Sequence, residues 1–351
     1  MVDIAIVGYA QSPSFRQAEL TEPQFLFPVI TEAIEKAGVG RRDIGFTCAG
    51  SCDYLSGQTF AFVSNLEAVG AWPPISESHV EMDGAWALYE AWVRLQHGDI
   101  DLALAFGSGK SSPGLPAEIY PLQMDPYTIT PLGADPVSLA ALQARAMLDK
   151  GTITEREMAE IAARSRRNAA NNPYAQVQGS ADADALLKEP YVTAPLRKHD
   201  LPPISDGACA VVLATADKAR QLSRAPVWIR GIDHRVEPHQ PGMRDLTESL
   251  STRQAGTRAG VNGAPVDVAE VSATFSHQER LLREALGLGD EVDVNPSGGP
   301  LAANPVMAVG LARIAEAARA VAERGAHRAV AHATSGQCLQ QNLVCLLEGE
   351  S

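Results

Sequence analysis

The sequence predicts an α/β protein built of two similar halves, and three observations predict it. Short apolar runs that stop at glycine alternate with amphipathic stretches of roughly 12–16 residues, the pattern of strands alternating with helices. The alternation is run through twice, once over residues 1–222 and again over 223–351, without obvious sequence identity between the two passes. The chain has 351 residues, 45% of them hydrophobic and 20% charged, which supplies a core for two such units. A mostly parallel sheet covered on both faces is the expectation.

The elements follow in order. Ile4-Ala5-Ile6-Val7-Gly8-Tyr9 is a buried strand ended by glycine. Helical periodicity runs from about Thr21 to Lys36 and stops at Gly38, a C-terminal cap. Phe46–Gly50 is a short strand, Ala85–His97 a helix, and Asp101–Gly109 a strand with a glycine-rich end. From Ser112 the pattern breaks under Pro113, Pro116, Pro121, Pro126, Pro131 and Pro136, so the region of about 112–200 is an excursion from the sheet, a lid or substrate loop. Within it lie helices over about Ser138–Lys150 and Thr154–Asn171, the latter opened by the capping pair Thr154 and Glu157. Ala208–Thr215 closes the first half as a strand. The second half reads Val227–Ile232 strand, Val268–Ser272 strand, Gln278–Leu288 helix, Val306–Arg324 helix, and strands Ala329–Thr334 and Leu343–Leu347.

Composition narrows the function. With 29 Lys and Arg against 42 Asp and Glu, the net charge of −13 argues against a nucleic-acid partner and against an anionic membrane surface. No apolar run reaches the roughly 18 residues of a membrane span, and the start carries no basic, apolar, cleavable leader, so a cytoplasmic protein is expected. Five cysteines, an odd number, fit reduced thiols better than a disulfide framework. Cys48 and Cys52 offer half of a zinc set, but no second pair follows at finger spacing, and no metal is expected.

Two segments carry a resemblance. His199-Asp200 followed by Ser205-Asp206-Gly207-Ala208 and a β-rich run is similar to the SPxxDGAAAVVL segment of thiolases. Val294-Asn295-Pro296-Ser297-Gly298-Gly299 followed by Asn304-Pro305 resembles their VNPSGGxxxxGHPLGATG segment. Between them, Glu270–Ser276 stands where such proteins carry ELHDCFS, and Leu339-Gln340-Gln341-Asn342 is similar to the LQHN of sterol-carrier-type thiolases. The order is kept over nearly the whole chain. The resemblance is to the sterol-carrier-protein-X or lipid-transfer-protein branch, and it implies a thiolase-like fold of two βαβ halves in αβαβα layers.

The departures shape the functional expectation. The stretch that resembles the nucleophile region, His79-Val80-Glu81-Met82-Asp83-Gly84, has no cysteine. Ser272, Asn304 and Thr334 replace the HDCFS histidine, the GHP histidine and the second cysteine. Acyl transfer through a cysteine thioester is therefore not expected, and Cys338 lies beyond the turn. Within this branch the resemblance implies retro-aldol cleavage of a steroid side-chain β-hydroxyacyl-CoA, which needs a base, donors for an enolate and an acid but no covalent nucleophile. It also implies an OB-fold and zinc-ribbon partner, with zinc only in that partner and no cofactor in this chain. The alternative is a non-catalytic or half-site subunit of a heteromeric complex whose thiolase-like partner carries the active residues; a homodimer, or a heterodimer with a thiolase-like paralogue, is expected.

Candidate residues each have two readings. Glu81 and Asp83 are acid/base candidates with burial-raised pKa values, or Asp83 is a helix N-cap. His277, on the turn entering a helix, reaches into the site or faces water. His332 lies on the same strand face as Thr334 and is catalytic, or is a core histidine satisfied by hydrogen bonds. Asn304 donates to a thioester oxygen or caps the loop before Pro305. Gly298 and Gly299 allow close backbone approach to substrate or form a tight turn. Ser272, Thr274, Thr334 and Gly336 occupy motif positions and are expected to line the substrate. Tyr127 reaches substrate from the excursion or is a packed aromatic. No tyrosine follows Tyr191.

Overall fold

A computed structural model describes residues 2–223 and 225–350. The first half contributes strands β1 (Ile4–Gln11), β2 (Phe46–Gly50), β3 (Glu77–Val80), β4 (Leu102–Lys110) and β5 (Asp206–Thr215). The second contributes β6 (Val227–Val236), β7 (Val268–Val271), β8 (Asp293–Val294), β9 (Arg328–Ser335) and β10 (Gln341–Glu348). The principal helices are α1 (Glu22–Lys36), α2 (Phe62–Val69), α3 (Gly84–Leu95), α4 (Pro136–Lys150), α5 (Glu155–Ala169), α6 (Leu250–Ala259), α7 (Ser276–Leu286) and α8 (Val309–Glu323).

The ten strands lie in the order β8-β7-β9-β10-β6-β1-β5-β4-β2-β3. Counted outward from the centre, each half therefore runs first, fifth, fourth, second, third strand, and the two halves repeat one topology. They join where β1 pairs antiparallel with β6 over Ile4, Ala5 and Ile6. The expected mostly parallel sheet is corrected to a mixed one. The outer pairs β2–β3, β2–β4, β7–β8 and β7–β9 are parallel, while β4–β5, β5–β1, β6–β10 and β10–β9 are antiparallel. A strand buried on both faces reads as a continuous apolar run whichever way it points, so the pattern alone did not carry direction.

The layers are helix, sheet, helix, sheet, helix. α3 and α8 form the middle layer, packed on each other and on the inner faces of both half-sheets. Their contact faces are rich in alanine, including Ala87, Ala91, Ala315 and Ala318, and short side chains allow close approach of helix to sheet. α1 covers the outer face of the first half through Phe25, Leu26, Val29 and Ile30. α6 and α7, with α4 and α5 of the excursion, cover the second half. The capping pair Thr154 and Glu157 opens α5: the Glu157 carboxylate accepts the Thr154 N–H at 2.7 Å. No helix among the described residues is long and apolar enough to cross a membrane.

One local expectation is corrected. The helix expected from Val306 begins at Val309, because residues 304–308 form a turn with Met307 at a left-handed φ of 73°. The Pro-rich stretch holds short helical turns, and its Met124 packs with Leu139 and with Cys338 of the second half.

Candidate functional site

The N-termini of α3 and α8 converge on one carboxylate. Asp83 precedes α3, and its Oδ1 accepts the N–H of Ala85 at 2.9 Å, as an N-cap does. The same oxygen accepts the N–H of Leu311 at 2.9 Å, and Oδ2 accepts that of Gly310 at 3.0 Å, both in the first turn of α8. Three backbone donors and two helix dipoles favour its charged form, while burial pushes its pKa up; Asp83 is 3% exposed. Of the two readings for Asp83, the geometry supplies the cap, and doubles it. The carboxyl has no oxygen turned toward solvent.

The loop between the glycine-rich turn and α8 lies flat against β4. The Met307 carbonyl accepts the N–H of Gly84 at 2.8 Å. A β-carbon at Gly107 would overlap the Met307 carbonyl oxygen, and one at Gly109 would overlap that of Val306, so glycine at both positions is what admits the loop. Asn304 is held by its backbone, its N–H donating to Ser205 Oγ at 3.0 Å, and the residue is partly exposed.

Gly298 and Gly299 have φ values of 99° and 64° and sit buried in a tight turn. A face of α5 and Asn172, just beyond its end, fasten this turn from the excursion. Ser165 Oγ donates to Gly298 O at 2.5 Å, Asn168 Nδ2 to Asn295 O at 2.9 Å, and Asn172 Nδ2 to Ser297 O at 3.0 Å. From the sheet side Glu270 accepts the Ser297 N–H at 3.0 Å and its hydroxyl at 2.7 Å. Arg313 of α8 pairs with Glu270, both buried, beside a cavity of about 10 Å³ that is room for one water.

Midway along β9, His332 is fully buried. Its Nε2 lies 2.9 Å from Asn342 Oδ1, and its Nδ1 accepts the N–H of Ser272 at 3.3 Å. Asn342 donates its amide to Ser251 Oγ at 2.6 Å and Leu339 O at 2.7 Å, which turns its oxygen to the imidazole and puts the proton on Nε2. Both ring nitrogens are taken, and burial pushes the pKa down to about 4. The reading of a satisfied core histidine is the one the geometry gives. The expected site for His277 is also corrected: it lies inside the first turn of α7, fully buried, with Nε2 3.1 Å from Gln143 Oε1 and Nδ1 unpartnered. Burial pushes its pKa down to about 3, so it is neutral and neither faces water nor ends a loop.

The remaining candidates spread out. Ser272 is buried with its Oγ unpartnered beside His332, and Thr274 is partly exposed two residues on. Thr334 donates its hydroxyl to Gln341 O at 3.0 Å, and Gly336, at φ 73°, is exposed in the β9–β10 hairpin. Glu81 is exposed and accepts the Asp53 N–H at 2.6 Å. Tyr127 is 87% exposed, so it is not a packed aromatic. His79 stacks on Phe62 with ring centroids 3.6 Å apart.

No thiol is poised as a nucleophile. All five cysteines are buried. Burial pushes Cys48 up to about 12 and Cys338 up to about 11, and raises Cys52, Cys209 and Cys345 as well. The residues that sequence reasoning missed are Arg244, Glu237 and Ser251, which support the hairpin and His332. Glu237 and Arg244 lie in a loop without periodicity and Ser251 in the first turn of α6, and a guanidinium that finds backbone carbonyls about 94 residues away along the chain leaves no local signal.

No protein-family profile matches the chain. An acetyl-CoA acetyltransferase of Methanothermobacter thermautotrophicus is 30% identical over 353 aligned residues, covering 90% of this chain and 90% of that protein. Sterol carrier protein 2 of Gallus gallus is 26% identical over 349 residues, covering 86% of this chain and 63% of that one. Among solved structures, an Ltp2-ChsH2(DUF35) aldolase superposes with a TM-score of 0.80 at 20% identity, over 99% of this chain and 97% of that chain. That last likeness is one of fold.

Proposed function

The chain belongs to the thiolase superfamily, and from that premise we propose that it serves the retro-aldol cleavage of a bulky β-hydroxyacyl-CoA, with a steroid side-chain thioester as the expected substrate. The observation that carries this reading is the filled nucleophile position: the Asp83 carboxylate is consumed by two helix N-termini, and every thiol is buried and protonated. Acyl transfer through an enzyme thioester has no nucleophile here, whereas carbon–carbon cleavage needs none. A base takes the β-hydroxyl proton, the Cα–Cβ bond breaks, and its electron pair passes into the thioester as an enolate. The freed oxygen becomes the carbonyl of a ketone or aldehyde, and protonation at Cα yields the shorter acyl-CoA.

Within this chain Glu81 is assigned as the base, since its carboxylate is exposed and has one oxygen uncommitted. Asn304 offers a partly exposed amide donor for the thioester oxygen, and the partly exposed Thr274 and Thr334 with the exposed Gly336 are assigned to substrate contact. We assign no cofactor to the chain, and zinc only to an OB-fold and zinc-ribbon partner. The aldolase of the same fold supports this reading by analogy.

A second reading is favoured by His332 and His277, which offer no accessible nitrogen and titrate far below neutrality. In it the chain is a half-site subunit, paired with a thiolase-like chain that carries the base. The free sheet edge at β3 supports such pairing, because Phe60, Val63 and Trp72 stand exposed around it. The test is mass-spectrometric detection of both cleavage products from a steroid β-hydroxyacyl-CoA, using the chain alone and as its isolated complex. Cleavage lost in Glu81→Gln and weakened in Asn304→Ala supports the first reading. Cleavage by the complex that ignores both changes supports the second. No cleavage by the intact complex overturns the retro-aldol assignment.

A further inference from the structure

The hairpin joining β9 to β10 is held in a conformation its residues do not prefer. Gly336, Cys338 and Leu339 all have left-handed φ values, 73°, 53° and 60°, and two of the three carry side chains. Consecutive non-glycine residues of this kind persist only where their surroundings dictate it, and a two-residue glycine or asparagine turn would close a hairpin without such constraint. The constraint is visible. Arg244, from the loop after β6, donates Nη1 to Cys338 O at 2.8 Å and Nη2 to Gln337 O at 2.7 Å. Asn342 takes the next carbonyl, Leu339 O, at 2.7 Å.

Arg244 is also the end of a buried polar chain. Its Nη1 lies 3.9 Å from Glu237 Oε2, and its side chain is 5% exposed although its loop lies at the surface. Glu237 Oε1 accepts the Ser251 N–H at 2.8 Å and its hydroxyl at 2.5 Å. Ser251 Oγ accepts from Asn342, and Asn342 Oδ1 accepts from His332, whose other nitrogen meets the backbone of Ser272. On its far side the hairpin packs Cys338 against Met124 and Leu139 of the excursion, with Cys338 Sγ donating to Leu139 O at 3.4 Å. The guanidinium thus sits where the hairpin, the strand ends and the excursion meet.

We propose that Arg244 is a positioning residue: it holds the Gly336–Leu339 hairpin in its left-handed form and so fixes the positions of Thr334 and Gly336, the two residues of this hairpin assigned above to substrate contact. This rests on the retro-aldol reading for its catalytic consequence, but not for its structural one. Two parallel donors are needed for two adjacent carbonyls, which the planar fork of arginine supplies and the single ammonium of lysine does not.

Two measurements on the isolated complex test it, amide hydrogen exchange of the peptide spanning residues 334–341 and steady-state cleavage of the β-hydroxyacyl-CoA. Arg244→Met is expected to speed exchange in that peptide at least tenfold while leaving β1 and β5 protected, and to lower kcat at least tenfold with KM within twofold. Arg244→Lys, which keeps charge and volume and guards against misfolding of the methionine variant, is expected to fall between. Wild-type kcat in both variants, or a rise in KM at unchanged kcat, overturns the positioning role. Unchanged exchange at the hairpin overturns the clamp itself, and it does so even if the wild-type complex cleaves nothing, an outcome that refutes the retro-aldol reading instead.

Discussion

The carboxylate of Asp83, which starts helix α3, accepts the backbone N–H of Leu311 in helix α8 at 2.9 Å. One side chain thereby caps the two helices that form the middle layer, at the point where the two halves of the fold meet. Asp83→Ala leaves donors of both helices unpaired in a dry interior. A loss of about 2–4 kcal/mol in unfolding free energy is expected from a double cap with burial penalties. Asp83→Asn keeps one acceptor oxygen but turns an NH₂ toward an N–H, so it should recover only part. Formate is expected to raise the melting temperature of Asp83→Ala more than that of wild type, because the vacated cradle fits a carboxylate. Equal stability of wild type and Asp83→Ala in guanidinium titrations would refute the shared cap.

Two buried histidines set a dependence on pH. His277 and His332 are pushed down to about 3 and about 4 by burial, whereas each titrates near 6.5 in an unfolded chain. The unfolded state thus binds protons that the folded state refuses, and stability is fully present above pH 6.5 and falls as the pH drops toward the folded values. Near pH 5 the loss amounts to about 2 kcal/mol per histidine, since each unit below the unfolded pKa costs about 1.4 kcal/mol. Neither imidazole has a charged partner, Gln143 facing one and Asn342 the other, so the effect is insensitive to salt. Denaturant midpoints between pH 7.5 and 5 check this, and His277→Gln should remove about half of the slope.

The close packing of the loop before α8 on β4 gives a sharper contrast. Gly109→Ala drives a methyl group into the Val306 carbonyl, backbone against backbone with no flexible side chain to yield. A destabilisation of about 2–3 kcal/mol is expected. Gly114→Ala, in open space five residues on, is the control and should change the melting temperature little. If both variants melt alike, the loop does not lie where the structure has it.

The repeat of strand and helix was legible in the sequence because buried strands and amphipathic helices carry their periods locally. Phe46–Gly50 is the expected strand, and Thr154 with Glu157 opens the expected helix. Strand β3, Glu77–Val80, was not legible: it is a short polar edge strand, and its exposed residues show no alternation. The start of α8 was misplaced because Met307 adopts a conformation usually left to glycine, under the pull of its carbonyl's bond to Gly84. At the site, Asp83 before Gly84 and Ala85 reads as a cap for α3, but its second helix lies 228 residues away in the chain. The pairing of Arg244 with the hairpin is tertiary in the same way. Motif positions located the strand ends, while the hydrogen bonds that lock His332 and expose Glu81 depended on neighbours that no spacing announces.

The cysteines provide the test closest to the chemistry. A thiol pushed to 11 or higher is ionised at neutral pH in only a minute fraction, and burial keeps alkylating reagents from it. Cys338 adds a further restraint, its hydrogen directed to Leu139 O under the packed excursion. Iodoacetamide at pH 7.5 is therefore expected to label the folded protein at least about a hundredfold more slowly than the guanidinium-unfolded chain, where all five cysteines become reactive. On the proposed retro-aldol reading, cleavage of a β-hydroxyacyl-CoA should survive that treatment. Rapid loss of cleavage matched by one alkylated thiol would mean that a cysteine enters the reaction after all, and the nucleophile-free assignment would fall.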